Sequence, residues 1–527
     1  MHFQKFTTNK ARATFLAMKL YGSTQRVLLC ICDGMGFSDN EDFNAIKAAN
    51  TPTLDRLYSQ YPFTTIIPGG EAVGLPKGVA GNSEVGHMNL GAGRAVRQDL
   101  VRINEAVENN TLKDMDELKK LITHAQNGSK RIHLMCLLSD GGVHAHIEHL
   151  KAVLDILKNE NVEVFLHAFM DGRDTPKTNG VKYIQEINQQ GGFVFASMQG
   201  RSIGMDRDRR WEKIELAYKT MTGAGDQTEL TPESYIQKEY EREIFDEFIT
   251  PVLFDTKGAI KSEDAVFFLN FRPDRAKQIS LAFCDAKFSH FKNEVRPYFL
   301  CMSPYIDEEL PQVPILFNRE KIKGTLSEYL AKLGHKQLKI AETEKYAHVT
   351  YFFNGGEETP FKGEDRILID SPKEVATYDL KPEMSAPEVL EKLIDKLNDD
   401  SYTLYVVNFA NPDMVGHTGN FEAAIKAMET IDHCLSELEK TCLKNNIAML
   451  VTADHGNCDQ MRYEDGSTQT SHSNSDVPFV LVKEGLDKTE VEKTTHSNYA
   501  LKDVAPTILH LLGIEKNEYI QGESIYK

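Results

Sequence analysis

The chain has 527 residues, with 60 Lys and Arg against 78 Asp and Glu, and a net charge of -18 at pH 7. This length predicts at least two domains, and the acidic charge argues against a nucleic-acid groove as the main function. Because of this charge we expect no nucleic acid as partner. No apolar run reaches the roughly 18 to 20 residues of a membrane span, so we expect no membrane as partner either.

The first 25 residues contain basic side chains and no acidic one. This composition is typical of an organelle presequence, but we interpret residues 1–25 as an ordinary N-terminal extension, with translation from Met18 as an alternative.

The eight cysteines are scattered and show no paired zinc-binding spacing. They are typical of reduced thiols, and we therefore expect a cytoplasmic protein.

The first predicted strand, Val27–Cys32, is apolar on both faces and ends at Asp33. This pattern predicts a buried parallel strand that brings a carboxylate to its carboxyl end, where open α/β sheets bind ligands. Further along, Thr51 and Pro52 predict the start of a helix, with Thr51 as the N-cap.

A single serine, Ser83, stands in a glycine-punctuated stretch from Gly81 to Gly93. Glycines allow a substrate or a metal ion to approach the main chain closely, which is typical of a presented nucleophile. A serine hydroxyl nevertheless needs a neighbouring base, a lowered pKa or a metal ion before it attacks. Without such an activator, the stretch predicts only a loop in which Ser83 caps a helix.

The middle of the chain repeats one pattern: an apolar strand, a polar loop and a helix. The predicted strands are 132–138, 162–169, 192–197 and 265–270, and they predict a parallel-sheet α/β domain. The side chains that follow these strands are His144, Arg173, Asp174, Arg201, Arg207, Arg272 and Arg275.

Arginine presents a planar fork that fits carboxylates and phosphates, so these strand ends predict a pocket for a small, multiply charged anion. Asp174 could transfer protons to and from a substrate hydroxyl, or it could be a structural carboxylate paired with an arginine. For Arg209 and Arg210 we favour a solvated helix face with internal ion pairs.

Residues 305–314 are polar and proline-marked, and they predict a linker. Carboxylates and imidazoles follow the first strand and the strands beyond this segment, and one more histidine comes later. They are Asp33, Asp413, His417, Asp454, His455 and His472, with no cysteine among them. This donor set suits two ions of manganese, magnesium, zinc or cobalt. Two such ions would clamp a phosphoryl group and activate Ser83.

Each of these residues also has a structural alternative, because an aspartate after a strand commonly caps a helix. A lone histidine is likewise commonly a hydrogen-bonded structural residue. We interpret Cys458, which lies near this set, as a bystander.

Eight segments, in order from about Arg26 to the C-terminus, resemble the motifs of the cofactor-independent phosphoglycerate mutases, members of the alkaline phosphatase superfamily. They are Asp33–Gly36, Gly81–His87, Ser139–His146, Asp171–Asp174, Phe271–Arg275, Ala341–Gly356, Asn411–Gly419 and Thr452–Asn457. The resemblance implies a monomer with two α/β domains. An alkaline-phosphatase-like metal-binding domain, residues 26–97 and 315–527, is split by an inserted glycerate-binding transferase domain, residues 98–314.

The resemblance also implies roles for single residues. Ser83 becomes phosphorylated, Lys345 contacts the phosphoryl group, and Asp174 is the acid and base. The implied substrate-binding residues are His144, Arg173, Asp174, Arg201, Arg207, Arg272, Arg275 and Lys345. One ion is held by Asp413, His417 and His472, and the other by Asp33, Ser83, Asp454 and His455. Both ions are manganese, with magnesium, zinc or cobalt as alternatives, and no 2,3-bisphosphoglycerate is required.

The implied reaction, a step of glycolysis and gluconeogenesis, interconverts 3-phosphoglycerate and 2-phosphoglycerate through a phosphoserine, with the glycerate retained by two closing domains. A phosphopentomutase and a metal-dependent phosphomonoesterase of the same superfamily are alternatives that would lack this arginine set. A catalytically silent binding protein is another, but it would have lost Ser83 or a metal ligand. Departures from the family motifs at Met35, Ser202–Gly204 and Ser473–Asp476 concern packing and fine substrate positioning rather than the reaction.

Overall fold

The computed structural model describes residues 25–319, 321–486 and 498–526. The chain divides into unit 1, formed by Met1–Gln98 with Lys321–Lys527, and unit 2, formed by Asp99–Glu320. The divisions follow residues 98 and 320, whereas the predicted domain limits follow residues 97 and 314. The predicted extension, residues 1–25, lies outside the described residues except for Gln25.

The strands are numbered in chain order. They are β1 Val27–Cys32, β2 Phe63–Ile66, β3 Arg131–Leu137, β4 Glu163–Met170, β5 Val194–Gly200, β6 Val252–Leu253, β7 Ala265–Phe268, β8 Tyr298–Cys301, β9 Gln337–Glu342, β10 Glu364–Ile369, β11 Leu404–Phe409, β12 Ala448–Thr452 and β13 Val477–Val482.

The α-helices are numbered in the same way. They are α1 Ala45–Ala48, α2 Pro52–Gln60, α3 Ser83–Ala92, α4 Asp99–Glu108, α5 Asp116–Asn127, α6 Ile147–Leu157, α7 Gly180–Gln190, α8 Arg201–Gly204, α9 Trp211–Met221, α10 Pro232–Glu241, α11 Lys277–Cys284, α12 Leu326–Lys332, α13 Thr343–Ala347, α14 Ala386–Leu397, α15 Asn411–Gly416, α16 Phe421–Lys444 and α17 Val504–Leu511. Within the described ranges, none of the helices combines the length and the apolar character that a membrane crossing requires.

Unit 1 is built on a 7-stranded sheet of order β10-β9-β11-β1-β12-β13-β2. Five adjacent strands are parallel to one another: β10, β9, β11, β1 and β12. Strands β13 and β2 complete the sheet in antiparallel pairing. Strand β1 lies in the centre, with Val27 opposite Leu404 of β11 and Ala448 of β12. This central place explains why β1 is apolar on both faces, as the sequence predicts.

Unit 2 contains a 6-stranded sheet of order β6-β5-β4-β3-β7-β8. Its strands are parallel except for the short edge strand β6, which pairs antiparallel with β5. The four strands that the middle of the sequence predicts are therefore adjacent, in the order β5, β4, β3 and β7. Their carboxyl ends lie at one edge of the sheet, and the loops that follow them share that edge.

The segment that the sequence predicts as a linker, residues 305–314, is packed within unit 2. Tyr305 and Ile306 are buried in the same core as Leu316 and Phe317. The backbone N–H of Cys301 donates a hydrogen bond of 3.0 Å to the carbonyl of Pro314. Tyr305, Ile306 and Pro314 thus hold the two ends of this segment, whereas Pro311 is exposed, and the chain leaves unit 2 only after the segment.

Helix α2 begins at Pro52 as predicted, but the Thr51 side chain makes no capping hydrogen bond within the described part of the chain. Instead the carboxylate of Asp432, on α16, accepts from the backbone N–H of Thr53 at 3.2 Å and of Leu54 at 2.8 Å. Asp432 is buried. A residue from a distant helix thus satisfies the free donors that every helix start exposes.

We expect Asp432→Ala to lower the stability of α2 by about 1 to 3 kcal/mol, because two buried N–H groups lose their acceptor. Hydrogen exchange of the α2 amides measures this loss. Thr51→Val is the matched control and is expected to change protection by less than about 0.5 kcal/mol. Fluorescence of Trp211, the single tryptophan of the chain, follows unit 2 and is expected to stay unchanged. Equal effects of both substitutions would contradict this account of the cap.

Candidate active site

The candidate site of unit 1 lies at the carboxyl ends of four adjacent strands, β9, β11, β1 and β12. Asp33 directly follows β1, and Asp454 follows β12 after one residue. Asp413 stands on the short helix α15 after β11, and Lys345 on the short helix α13 after β9. Parallel pairing brings these four ends to one edge, so residues that are far apart in sequence meet there.

Ser83 is the first residue of α3, and the helix is capped by Asn82, whose side chain accepts from the N–H of Val85. The capping role that the sequence left open for Ser83 is therefore wrong. Gly86, on the same helix, explains how Ser83 comes so close to the strand ends. A Cβ atom at Gly86 would lie 2.8 Å from the Cβ and the carbonyl oxygen of Asp454.

The Ser83 hydroxyl is surrounded by charged and polar groups. Lys345 donates to its oxygen at 2.7 Å, and the hydroxyl lies 2.9 Å from Nε2 of His455 and 3.3 Å from Oδ1 of Asp33. The same ammonium contacts Asp33 Oδ1 at 2.7 Å and Asp413 Oδ2 at 2.6 Å. Burial alone would lower the pKa of Lys345, but Asp33 and Asp413 outweigh it and raise that pKa. Lys345 is therefore a cation beside Ser83 and not its general base.

Two histidines, His417 and His472, lie beside the carboxylate of Asp413, and the three side chains form the first candidate metal site. Oδ1 of Asp413 lies 3.2 Å from Nε2 of each histidine, and the two Nε2 atoms are 3.2 Å apart. One divalent ion could therefore be bound by all three. The Asp413 carboxylate raises the pKa of His417, and it also raises that of His472 against the effect of burial.

Asp33, Asp454, His455 and the Ser83 hydroxyl form the second candidate site. Nε2 of His455 lies 3.4 Å from Asp33 Oδ1 and 3.5 Å from Asp454 Oδ2. The latter oxygen is buried and accepts no hydrogen bond from any residue that the structure describes. Nδ1 of His87 lies 3.2 Å from this oxygen, but it lies closer, at 2.8 Å, to the carbonyl of Ser83, so Asp454 Oδ2 has room for a cation. The two sites adjoin, because the rings of His455 and His472 stack with centroids 3.7 Å apart.

The three histidines share one orientation. Nδ1 of His417 donates to the carbonyl of Thr470 at 2.6 Å, that of His472 to Gly81 at 2.8 Å, and that of His455 to Gly456 at 3.3 Å. Each backbone carbonyl fixes the proton on Nδ1, so Nε2 is the nitrogen that could bind an ion. Histidines that bind metal ions are usually held in this way, so the donor set fits divalent metals.

The charges of the three aspartates also fit cations. Burial, together with the charge of Asp454, raises the pKa of the Asp33 carboxyl. For Asp413 burial is outweighed by Lys345 and the neighbouring histidines, which hold its pKa well below the usual range. Burial is likewise outweighed at Asp454, where His455 and His87 lower the pKa. Bound cations would relieve the repulsion among these groups.

Sequence reasoning missed three buried residues beside the ligands: His87, Asn408 and Asn457. Asn457 donates to Asp413 Oδ1 at 3.1 Å, and Asn408 donates to Asp33 Oδ2 at 2.7 Å. His87 lies 3.2 Å from Asp454 Oδ2. Two sequence features could have identified these residues. His87 stands one helical turn after Ser83, and Asn408 is a polar residue inside an otherwise apolar strand.

The candidate anion site of unit 2 lies at the carboxyl ends of β5, β4, β3 and β7. Arg201 is 2% exposed and contacts Asp171 at 2.6 Å and Asp174 at 2.5 Å. Nη1 of Arg207 lies 2.9 Å from Asp274 Oδ2, and Nε of Arg272 lies 3.2 Å from Asp274 Oδ1. Two aspartates outside the predicted substrate-binding set, Asp171 and Asp274, thus hold the arginines.

His144 and Arg275 complete this cluster. Nδ1 of His144 lies 3.7 Å from Asp274 Oδ1, and burial and the charge of Arg201 lower the pKa of His144 to about 4. His144 is therefore neutral near pH 7 and offers hydrogen bonds rather than charge. Arg275 donates to the carbonyl of Met205 at 3.1 Å. Burial and the neighbouring arginines lower its pKa, so the cluster has an excess of positive charge that suits an anion.

The remaining arginines lie apart from the buried part of the cluster. The side chain of Arg173 is 60% exposed and stands 3.6 Å from Glu247. Arg209 and Arg210 lie in the turn before α9, so the predicted helix face is wrong. Arg209 has a φ of 59°, a left-handed conformation that does not continue a helix. The ion pairing expected for Arg210 is present, because it contacts Asp206 at 2.6 Å and also Asp208.

The departures from the family motifs include buried positions, at Met35, Gly204 and Ser473, and exposed ones, at Asn474 and Asp476. Met35 is fully buried in the core of unit 1. Ser202–Gly204 belongs to α8, where a Cβ at Gly204 would lie 2.5 Å from the ring of Phe169. Ser473 donates to Asp459 at 2.8 Å, a bond that ties the segment after His472 to the loop after β12.

Comparison with known proteins places the chain in a family. The model of the Metalloenzyme superfamily matches residues 25–516. A 2,3-bisphosphoglycerate-independent phosphoglycerate mutase of Clostridium novyi is 45% identical over 512 residues, which are 95% of this chain and 99% of the relative. The protein of the same name from Clostridium acetobutylicum is 46% identical over 513 residues, covering 95% and 99%.

A solved structure gives the same result. The phosphoglycerate mutase of Leishmania mexicana at low cobalt concentration is 29% identical and aligns with a TM-score of 0.65, covering 95% of this chain and 98% of that one. The predicted α/β fold class and the predicted resemblance are thereby confirmed. The chain belongs to the family of 2,3-bisphosphoglycerate-independent phosphoglycerate mutases, within the Metalloenzyme superfamily.

Proposed function

We propose that the chain interconverts 3-phosphoglycerate and 2-phosphoglycerate through a phosphoserine at Ser83, without 2,3-bisphosphoglycerate. Its family membership makes it an enzyme, an isomerase. The observation that carries the proposal is the position of the Ser83 hydroxyl, 2.7 Å from the Lys345 ammonium and 2.9 Å from Nε2 of His455. A hydroxyl so placed is typical of a nucleophile for phosphoryl transfer.

The residues that would hold two divalent ions are Asp413, His417 and His472 for one, and Asp33, Ser83, Asp454 and His455 for the other. The ions would polarise the phosphoryl oxygens and lower the pKa of the Ser83 hydroxyl. Carboxylates and imidazoles without a thiolate suit manganese, and magnesium, zinc and cobalt remain alternatives.

Ser83, Lys345 and Asp174 each have a separate role in the proposed phosphoryl transfer. The Ser83 oxygen attacks phosphorus in line, and the bond from phosphorus to the glycerate oxygen breaks. Lys345 keeps its proton and offers positive charge to the phosphoryl oxygens. The Ser83 hydroxyl gives up its proton to water before the attack, and Asp174 gives a proton to the departing glycerate oxygen. In the second half the other glycerate hydroxyl gives its proton to Asp174 and attacks phosphorus, the bond from phosphorus to the Ser83 oxygen breaks, and that oxygen takes up a proton from water. Asp174 is therefore unchanged over a full cycle.

Retention of the glycerate separates a mutase from a phosphatase. We assign this task to His144, Arg173, Arg201, Arg207, Arg272 and Arg275. Asp171 orients Arg201, because its Oδ1 accepts from that guanidinium at 2.6 Å and from the backbone N–H of Asp174 at 3.0 Å. The arginine forks suit a carboxylate, and they disfavour a plain phosphomonoesterase or a phosphopentomutase.

The proposal includes a monomer in the cytoplasm with phosphoglycerate as its partner. In support of a reducing compartment, all eight cysteines are free thiols, and burial raises the pKa of Cys136 to about 12 and also raises that of Cys284. Such thiols are unreactive at neutral pH.

The reaction is tested by its product. With 3-phosphoglycerate and manganese, and without any bisphosphoglycerate, we expect 2-phosphoglycerate to form until equilibrium, as followed by phosphorus NMR. Inorganic phosphate is expected to stay a minor product. Release of phosphate without 2-phosphoglycerate would reject the mutase and favour the phosphomonoesterase.

The nucleophile is tested by Ser83→Ala. We expect kcat to fall by at least about 10³-fold, and the phosphoenzyme seen by mass spectrometry after acid quenching to disappear. Ser59→Ala, at an exposed serine of the same unit, is the matched control and should leave both readouts unchanged. A phosphoenzyme that persists in Ser83→Ala would refute this assignment.

The ions are tested by their removal. Exhaustive chelation is expected to abolish activity, and added manganese to restore it with two ions per chain by elemental analysis. His417→Ala should leave one ion, because Nε2 of His417 faces Asp413 in the first site only. Full activity in protein shown to be metal-free would rule out the two-ion proposal.

A further inference from the structure

Two fully buried side chains next to the predicted metal ligands, His87 and Asn408, have no part in the steps above. His87 lies on α3, one turn after Ser83, and Asn408 lies within β11 beside the central strand β1. A buried polar side chain is costly unless its partners satisfy it. The contacts of these two residues therefore indicate what they do.

Asn408 fixes the state of His87. Its Nδ2 donates to Asp33 Oδ2 at 2.7 Å and lies 2.9 Å from Nε2 of His87. The carboxylate only accepts, so the amide nitrogen, with its two hydrogens, must be the atom that faces both partners. Nε2 of His87 then accepts a hydrogen bond, and the ring carries its proton on Nδ1.

The Nδ1–H group of His87 faces the nucleophile and a ligand. It donates to the backbone carbonyl of Ser83 at 2.8 Å and lies 3.2 Å from Asp454 Oδ2. Both ring nitrogens of His87 thus have hydrogen-bond partners outside the proposed ligand side chains. In His417, His455 and His472, by contrast, Nε2 faces the other proposed ligands, Asp413 or Ser83. His87 lies within metal-binding distance of Asp33 and Asp454, but it has no lone pair to offer.

We propose that His87 and Asn408 are positioning residues that align Asp33, Asp454 and the Ser83 main chain for two divalent ions, without binding an ion themselves. The inference rests on the proposed function, because it concerns the same site. The chain of contacts runs from Asp33 through Asn408 and His87 to Ser83 and Asp454. It joins β1, β11, α3 and the loop after β12, so the loss of either link frees ligands of the second ion.

The test is calorimetric titration of manganese into the metal-free protein, which reports affinity and stoichiometry independently of activity. His87→Leu keeps bulk and removes both nitrogens, and we expect two ions still to bind, the second about 10 to 100-fold more weakly. His87→Asn places an amide N–H where Nδ1 was, and it should recover most of the loss. Asn408→Leu is expected to weaken binding as His87→Leu does.

The matched control is His335→Leu in the same unit. Nδ1 of His335 lies 3.1 Å from the Thr403 hydroxyl, beyond the opposite end of β11, so this substitution also removes a histidine contact. It should leave manganese affinity unchanged. A purely structural role of His87 would lower stability alike in the leucine and asparagine variants and leave affinity unaltered.

Each outcome decides the inference. Native affinity in His87→Leu would overturn it, and binding of a single ion would show that His87 is a ligand. If His87→Leu does not fold, Asn408→Leu and His87→Asn are judged by the same titration. A native chain that binds no divalent ion would instead contradict the proposed function, so the two failures are distinguishable.

Discussion

Unit 1 depends on the burial of three carboxylates, those of Asp33, Asp413 and Asp454, at one edge of a parallel sheet. Buried charges persist only where opposite charge and hydrogen bonds compensate them. Lys345 compensates in part, with contacts of 2.7 Å to Asp33 and 2.6 Å to Asp413. One ammonium does not balance three carboxylates, and this deficit is the physical basis of a site for divalent cations. The Ser83 hydroxyl stands at its centre.

In unit 2 the positive charges of arginine side chains are held in place by aspartates. Its strand ends gather arginines in excess, and Asp171 and Asp274 hold them in place, as in the 2.6 Å contact between Asp171 and Arg201. Fixed guanidinium groups lose little entropy when an anion binds, so such a cluster is prepared for a carboxylate or phosphate.

Much of this arrangement could be predicted from the sequence, and the failures have a common cause. Asp33 and Asp454 follow apolar runs, so a strand pattern locates them without any knowledge of partners. Asp432 could not be predicted as a helix cap. It accepts a hydrogen bond from the N–H group of Thr53, which is 379 residues away in sequence. The contact between Asn408 and His87 spans 321 residues. Local patterns carry no information about such pairs.

The sequence by itself determined the alternation of buried strands with polar ends, the chemistry of the candidate metal donors and the presence of a single serine, Ser83, among the glycines of its stretch. Those properties follow from residue type and local order, since a side chain's atoms decide what it can donate or accept. Only the tertiary structure decided that Asn82 rather than Ser83 caps α3, and that Nε2 of His87 faces the Asn408 amide while Nε2 of His455 faces the Ser83 hydroxyl. The reason is that the direction of a lone pair depends on hydrogen-bond partners, and folding alone brings those partners together.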